Sequence, residues 1–354
     1  MLEPNVPIAQ ILGPLKNNGG PTQTHAPVAR SPAIDAGDPS GCRNSQGALI
    51  TTDQRGFVRD IDGNNDGTAR CDIGAVEFGP GSAILIDFDG DGLSDIGVYR
   101  NGTWFVLRSS DGGVRATEWG GLPQDKPVPA DYDGDGKVDH AVYRDGDWHI
   151  IRSSDGGVRA IGWGGLPQDM PLPADYDGDG KADLAVYRDG TWFVLRSSEG
   201  GVTATGWGGA LADVPVPADY DGDGKADIAV YRSGTWFIRR SSDGGQASVV
   251  WGGASQDIPL PADYDGDGKA DIAVYRDGIW FIIRSSDGFQ TAIGWGLPQD
   301  IPVPADFDGD GKVDVAVYRD GTWFIVRSSD GGVTATGWGG APEDIPLNGK
   351  KTLE

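Results

Sequence analysis

The sequence predicts an all-β protein: a closed ring of six four-stranded blades, a six-bladed β-propeller, preceded by a small N-terminal β or irregular segment. Three observations carry this. The string Asp-aromatic-Asp-Gly-Asp-Gly-x-x-Asp begins at Asp87, Asp131, Asp175, Asp219, Asp263 and Asp306, at spacings of 44, 44, 44, 44 and 43 residues. All 12 Trp and all 10 Tyr lie inside these copies, so the period belongs to a packed structure. The 58 Gly and 23 Pro, in a chain this rich in aromatics, read as turn residues of a β protein. The one short spacing comes from a missing glycine, where Trp295-Gly296-Leu297 replaces Trp-Gly-Gly.

One copy, Pro127 to Asp169, shows the order of elements. Pro127–Tyr132 reads as an extended first strand, and Pro129 within it requires a pairing that tolerates a missing N–H. The acidic loop follows. Val138–Arg144 is a second strand, and Asp145-Gly146 supplies a two-residue hairpin turn, as Asn101-Gly102 does in the first copy. Trp148–Ser153 is a third strand, Asp155-Gly156-Gly157 a second turn, and Val158–Trp163 a fourth strand. Gly164–Asp169 then links to the next copy. Four short strands cannot bury both faces alone. Stacking copies around an axis buries them and leaves only short edges. A flat open solenoid is the competing arrangement. In the first copy Ile84–Ile86 is the expected inner strand, because it runs directly into Asp87. Ile345-Pro346-Leu347 repeats that strand and is then surplus, either a tail or a closing strand.

The formal net charge of −24 excludes nucleic acid and anionic lipid as favoured partners. No run of 18 apolar residues is present to span a membrane. The three histidines are His25, His140 and His149; the last two occur only in the second copy and read as surface substitutions. No nucleophile elbow, phosphate loop or paired-histidine metal motif appears, and no copy stands out as carrying an acid–base set the others lack. The chain is therefore expected not to be an enzyme.

The aspartates are placed for metal. Each loop has Asp at positions 1, 3, 5 and 9 and Gly at 4 and 6. Alternate residues of a tight loop can aim carboxylates at one centre, and a hard cation such as calcium takes six to eight oxygens at about 2.3–2.6 Å. Position 7 would add its backbone carbonyl, with its side chain in solvent. The expected ligands are Asp87, Asp89, Asp91, Leu93 and Asp95; Asp131, Asp133, Asp135, Lys137 and Asp139; Asp175, Asp177, Asp179, Lys181 and Asp183. They continue with Asp219, Asp221, Asp223, Lys225 and Asp227; Asp263, Asp265, Asp267, Lys269 and Asp271; and Asp306, Asp308, Asp310, Lys312 and Asp314. Six loops of four Asp carry 24 negative charges, which about six calcium ions would halve. Magnesium suits such loops less, because it demands octahedral geometry and keeps its waters.

With phrases such as "PVPADYDGDGKADIAVYR", the chain resembles FG-GAP repeats of integrin α-subunit propellers and the bacterial FG-GAP-like or VCBS repeat over roughly residues 83–347. The resemblance implies a propeller with calcium between the first two strands of each blade, in a secreted or cell-surface protein that acts by adhesion. Integrin propellers have seven blades, and this chain has six copies. Domain bounds follow: 1–80 for the N-terminal segment, 81–348 for the propeller and 349–354 for a tail.

Residues 1–80 lack the period and any Trp. "LGPLKNNGGPTQTH", "SPAIDAGD", "TDQRG" and "CDIGAVEF" resemble the C-terminal end of bacterial surface β-helix proteins of choice-of-anchor type. The segment holds both cysteines, Cys42 and Cys71, which in an exported protein suggest one disulfide, with free thiols as the alternative. Asp60–Asp66 reads as a polar turn or a further cation loop. The expected function is a non-catalytic, calcium-binding adhesion or structural module with a protein or glycan ligand. The alternative is a calcium-dependent lectin using the "WGG" tryptophans Trp119, Trp163, Trp207, Trp251, Trp295 and Trp338, which otherwise pack between blades.

Overall fold

The computed structural model describes residues 86–349 without interruption and, before them, short stretches between 11 and 75 (11–12, 24–25, 31–34, 36–38, 41–44, 46–50 and 70–75). Asp60–Asp66 lies outside the described residues. Residues 86–349 form six separate four-stranded antiparallel sheets with no helix, a six-bladed propeller.

Blade two shows the plan. β4 (Lys126–Pro127), β5 (His140–Arg144), β6 (Asp147–Ile151) and β7 (Val158–Gly162) lie side by side in chain order. The first strand is shorter than the predicted Pro127–Tyr132. Val128 still donates its N–H to the Ala141 carbonyl at 2.9 Å, and Ala130 bridges Asp139, so pairing skips the prolines. The β5–β6 turn is Asp145-Gly146, with φ of 49° and 101°; two positive φ values are what a type I′ hairpin requires.

Both faces of each blade are buried, one against each neighbour. In blade two, Tyr143, Trp148 and Ile150 face blade three, where they meet Leu184 and Val186. Val142 faces back and joins Tyr99, Trp104 and Val106 of blade one. The period-2 alternation of a strand thus splits its residues between two junctions. The mid-strand tryptophans Trp104, Trp148, Trp192, Trp236, Trp280 and Trp323 have no more than 1% of their surface exposed. Each pairs with a tyrosine across the strand, as Tyr143 does with Trp148 at a centroid distance of 5.2 Å.

The "WGG" series forms straps between blades. The indole N–H of Trp163 donates to the Phe193 carbonyl at 3.2 Å, that of Trp207 to Phe237 at 3.0 Å and that of Trp338 to Phe105 at 3.1 Å. The last of these joins blade six to blade one.

The closing blade differs from expectation. Its inner strand is β24 (Ile345–Pro346), paired with β1 (Ile96–Arg100), which continues into β2 (Thr103–Leu107) and β3 (Val114–Glu118). Ile86 is in no strand, and Ile84 and Leu85 lie outside the described residues. Leu347 donates to the Gly97 carbonyl at 3.0 Å, the bond that Val128 makes in blade two. Two segments had the right sequence for one site, and the C-terminal one occupies it. The ring therefore closes with strands from both ends of the repeat array.

His140 is not a surface residue. It is 4% exposed and lies 5.0 Å from the Phe88 ring and 5.3 Å from that of Trp104, between blades one and two. Burial, with a smaller contribution from Arg115, lowers its pKa to about 4. Cys42 and Cys71 are joined in a disulfide with a Cα–Cα distance of 6.0 Å.

Candidate metal centres

The acidic loop connects the first and second strands of blades two to six and leads into β1 in blade one. Its shape comes from carboxylates that accept backbone N–H groups. In blade two, Asp131 Oδ1 accepts from Gly134 at 2.6 Å and Oδ2 from Gly136 at 2.8 Å. Gly134 and Gly136 have φ of 82° and 77°, so a side chain at either would strain the curl. Asp139 Oδ2 accepts from Tyr132 N–H at 2.9 Å, which ties the end of the loop to its start.

Positions 1, 3 and 9 converge. In Asp87/Asp89/Asp95, Asp131/Asp133/Asp139, Asp175/Asp177/Asp183, Asp219/Asp221/Asp227 and Asp263/Asp265/Asp271, one oxygen from each residue lies within 4.8 Å of the others. Asp306, Asp308 and Asp314 have the same hydrogen bonds: Gly309 N–H to Asp306 at 2.6 Å, Ser329 Oγ to Asp308 at 2.6 Å and Ser328 N–H to Asp314 at 2.6 Å. Position 5 stands apart from this group. Asp135 Oδ1 accepts from Lys137 N–H at 3.0 Å and from Ser153 Oγ at 2.7 Å.

The sequence reading missed a pair of serines. Ser153 N–H donates to Asp139 Oδ1 at 2.6 Å, and Ser154 Oγ donates to Asp133 Oδ2 at 2.6 Å. The same pair serves every loop, from Ser109-Ser110 to Ser328-Ser329. Its signal was present, because "RSS" recurs after every third strand.

The lysines at position 7 do not simply extend into solvent. The Lys137 stem crosses Gly90 of the preceding loop so closely that a Cβ there would meet its Cε at 2.5 Å. Lys181 covers Gly134 and Lys225 covers Gly178 in the same way. The backbones are linked too. Val138 N–H donates to the Asp87 carbonyl at 2.7 Å, Ala182 to Asp131 at 2.6 Å, and so on to Ser94, which donates to Asp306 at 2.8 Å. The six loops form one hydrogen-bonded circle.

The triads are electrostatically incomplete. Burial raises the pKa of Asp131, Asp219, Asp95 and Asp314 to about 6, of Asp271 and Asp306 to about 7 and of Asp263 to about 8, against backbone hydrogen bonds that pull the other way. Oδ1 of Asp89, Asp133, Asp177 and Asp221 is buried and accepts no hydrogen bond from the described residues. Arg240 stands 4.0 Å from Asp221; among the described residues no other lysine or arginine pairs with a triad. Three carboxylates with a buried, unpartnered oxygen fit a hard cation, which binds oxygen donors alone.

The sequence profile of the FG-GAP-like repeat matches residues 175–230, 219–274 and 263–317, each span opening on the first aspartate of a loop. These are FG-GAP-like repeats. No curated protein matches the chain. Among solved structures, a lectin from Agrocybe aegerita that recognises non-reducing terminal N-acetylglucosamine is 16% identical, over 76% of this chain and 98% of its own, with a TM-score of 0.50. TolB from Acinetobacter baumannii is 15% identical, over 72% of this chain and 66% of its own, with a TM-score of 0.50. At these identities the likeness is one of fold. The FG-GAP-like copies place their triads and serines alike, and the junction of blades one and two is where the pattern changes. There Glu118 of copy one and His149 of copy two line one cavity.

Proposed function

We propose that each FG-GAP-like loop holds one calcium ion, about six in all, and that the propeller is a calcium-rigidified binding module with no substrate turnover. The observation that carries this is the convergence of positions 1, 3 and 9 around buried carboxylate oxygens with no hydrogen-bond donor. Position 5 and the carbonyls of Leu93, Lys137, Lys181, Lys225, Lys269 and Lys312 would complete the shells, directly or through water. Extracellular calcium sites bind with Kd of about 10⁻⁴–10⁻³ M, which fits a secreted or cell-surface protein. The Cys42–Cys71 disulfide fits the same oxidising setting. Residues 1–80 are read as a separate unit, the end of a surface β-helix. The partner is a protein or a glycan. A lectin site on each "WGG" tryptophan is disfavoured, because the indole N–H already serves as an inter-blade strap. Isothermal titration of metal-free protein tests the reading: calcium binding lost in variants with position 1 and position 3 changed to Asn supports it, and unchanged binding overturns it.

A further inference from the structure

One blade junction breaks the repeat. At the third residue of the "TWF" strand, five blades carry Phe105, Phe193, Phe237, Phe281 and Phe324. In each, an arginine guanidinium of the neighbouring strand lies over the ring, 4.8 to 5.0 Å from its centroid. Blade two has His149 there. At the end of the outer strand the other blades carry Gly162, Gly206, Val250, Gly294 and Gly337; blade one has Glu118. Asp147 replaces a Thr or Ile two residues before His149, on the same face of the strand. Glu118 and His149 meet at one place, because Trp119, next to Glu118, donates its indole N–H to the His149 carbonyl at 2.9 Å.

The result is a cavity of about 300 Å³ lined by Glu118, Trp119, Gly120, Val142, Arg144 and His149. Its charge can be assigned. The Arg144 fork is taken up by Asp125, with contacts of 2.6 and 3.0 Å, so this pair adds no net charge. Glu118 is exposed and pairs with no described lysine or arginine, and therefore leaves one uncompensated carboxylate at the mouth. His149 supplies a ring nitrogen able to hydrogen-bond, and Trp119 an indole wall. An anion beside an aromatic surface selects a cation, and the chain's net charge of −24 enriches cations around it. The volume lies at the small end of ligand pockets and suits a group the size of an amino-acid side chain.

We propose that this cavity binds a single alkylammonium group, with Glu118 as its counter-charge and Trp119 and His149 as its walls. The site is independent of the calcium reading. Two sources could supply the ligand, a free primary amine or a lysine side chain on a protein partner.

The test is titration of the full chain, at millimolar calcium and physiological salt, with n-butylammonium chloride and with the peptide acetyl-Gly-Lys-Gly-amide. Acetyl-Gly-norleucine-Gly-amide is the neutral control. The expected result is one site for both cations and none for the control. A tighter peptide assigns a protein lysine, and equal affinities assign a free amine. The variants Glu118→Gly and His149→Phe install the residues other blades already use, so the fold is expected to hold. Each should weaken binding by at least about tenfold while leaving calcium stoichiometry unchanged. No saturable site, equal binding of the norleucine peptide, or unchanged affinity in both variants would overturn the proposal. Cation binding by the acidic loops would persist in both variants and is thereby separated from it.

Discussion

Every repeat buries aspartates of two kinds. Asp125, Asp169, Asp213, Asp257, Asp300 and Asp344, at the entry to each blade, are forked by Arg144, Arg188, Arg232, Arg276, Arg319 and Arg100 at 2.5 to 2.6 Å through Nε. Among the described residues, the loop aspartates a few residues on have no such arginine fork. Burial pushes the carboxyl upward at Asp125 and Asp169 as it does at Asp131 and Asp219. At Asp125, Asp169, Asp213, Asp257 and Asp344 the arginine and backbone N–H groups together outweigh it, and the carboxyl sits below its ordinary value. At Asp131 and Asp219 nothing does, and it rises to about 6. The same residue type in the same fold is thus neutralised by an arginine in one place and has no such counter-charge among the described residues in the other.

The comparison is broken most strongly by removing the cation the loops are inferred to hold. A ligand at 10 to 100 times its Kd stabilises by about 1.4–2.7 kcal/mol per site. Six sites together make calcium worth roughly 10 kcal/mol. Thermal melts in 10 mM calcium and in EDTA should differ by tens of degrees; identical melts would mean the loops are complete without metal.

Breaking the arginine set comes next. Arg188→Ala strands the Asp169 carboxylate, whose side chain is fully buried, while Arg188 itself is 23% exposed. The expected loss is about 2–4 kcal/mol, somewhat below that for a fully buried pair. It should appear in urea unfolding with and without calcium alike.

The pH dependence separates the sets by sign. Raised loop pKa values mean the metal-free folded state holds protons more tightly than the unfolded chain. That stability is present below the ordinary value of 3.8 and is lost as pH rises through about 6 to 7. The arginine-forked aspartates do the reverse: their contribution is present above 3.8 and is lost as pH falls through their depressed values. Metal-free protein should therefore melt highest near about pH 4–5. Calcium-loaded protein should gain stability as pH rises from about 5 to 7, because protons then cease to compete with the ion. Melting curves across this range, with and without calcium, check the inversion.

The smallest effect is that of one loop. Asp133→Asn should cost about 1–3 kcal/mol in calcium and nothing in EDTA, where it relieves repulsion.

Much of this was legible in the sequence because it repeats. The near-constant 44-residue spacing, the hairpin dipeptides (five Asp-Gly or Asn-Gly and one Ser-Gly) and the Asp spacing restate the same local rules from copy to copy, and the blades follow them. What escaped was set by contacts between copies. Ile84–Ile86 and Ile345–Leu347 have the same pattern, and only three-dimensional closure decides between them. Lys137 looks like a solvated lysine until the preceding loop lies beneath it. Ser153 and Ser154 follow their aspartates by many residues and are brought back by the β5–β6 hairpin. His140 reads as polar, but β5 turns it toward the Trp104 junction.

The central claim is that the loop aspartates form cation sites and the arginine-forked aspartates do not. The most direct measurement is the anomalous difference map of a crystal soaked in millimolar calcium. The account predicts a peak within each of the six loops, bounded by positions 1, 3 and 9, and none at Asp125, Asp169, Asp213, Asp257, Asp300 or Asp344. Empty loops at saturating calcium, or ions bound only elsewhere, would contradict it.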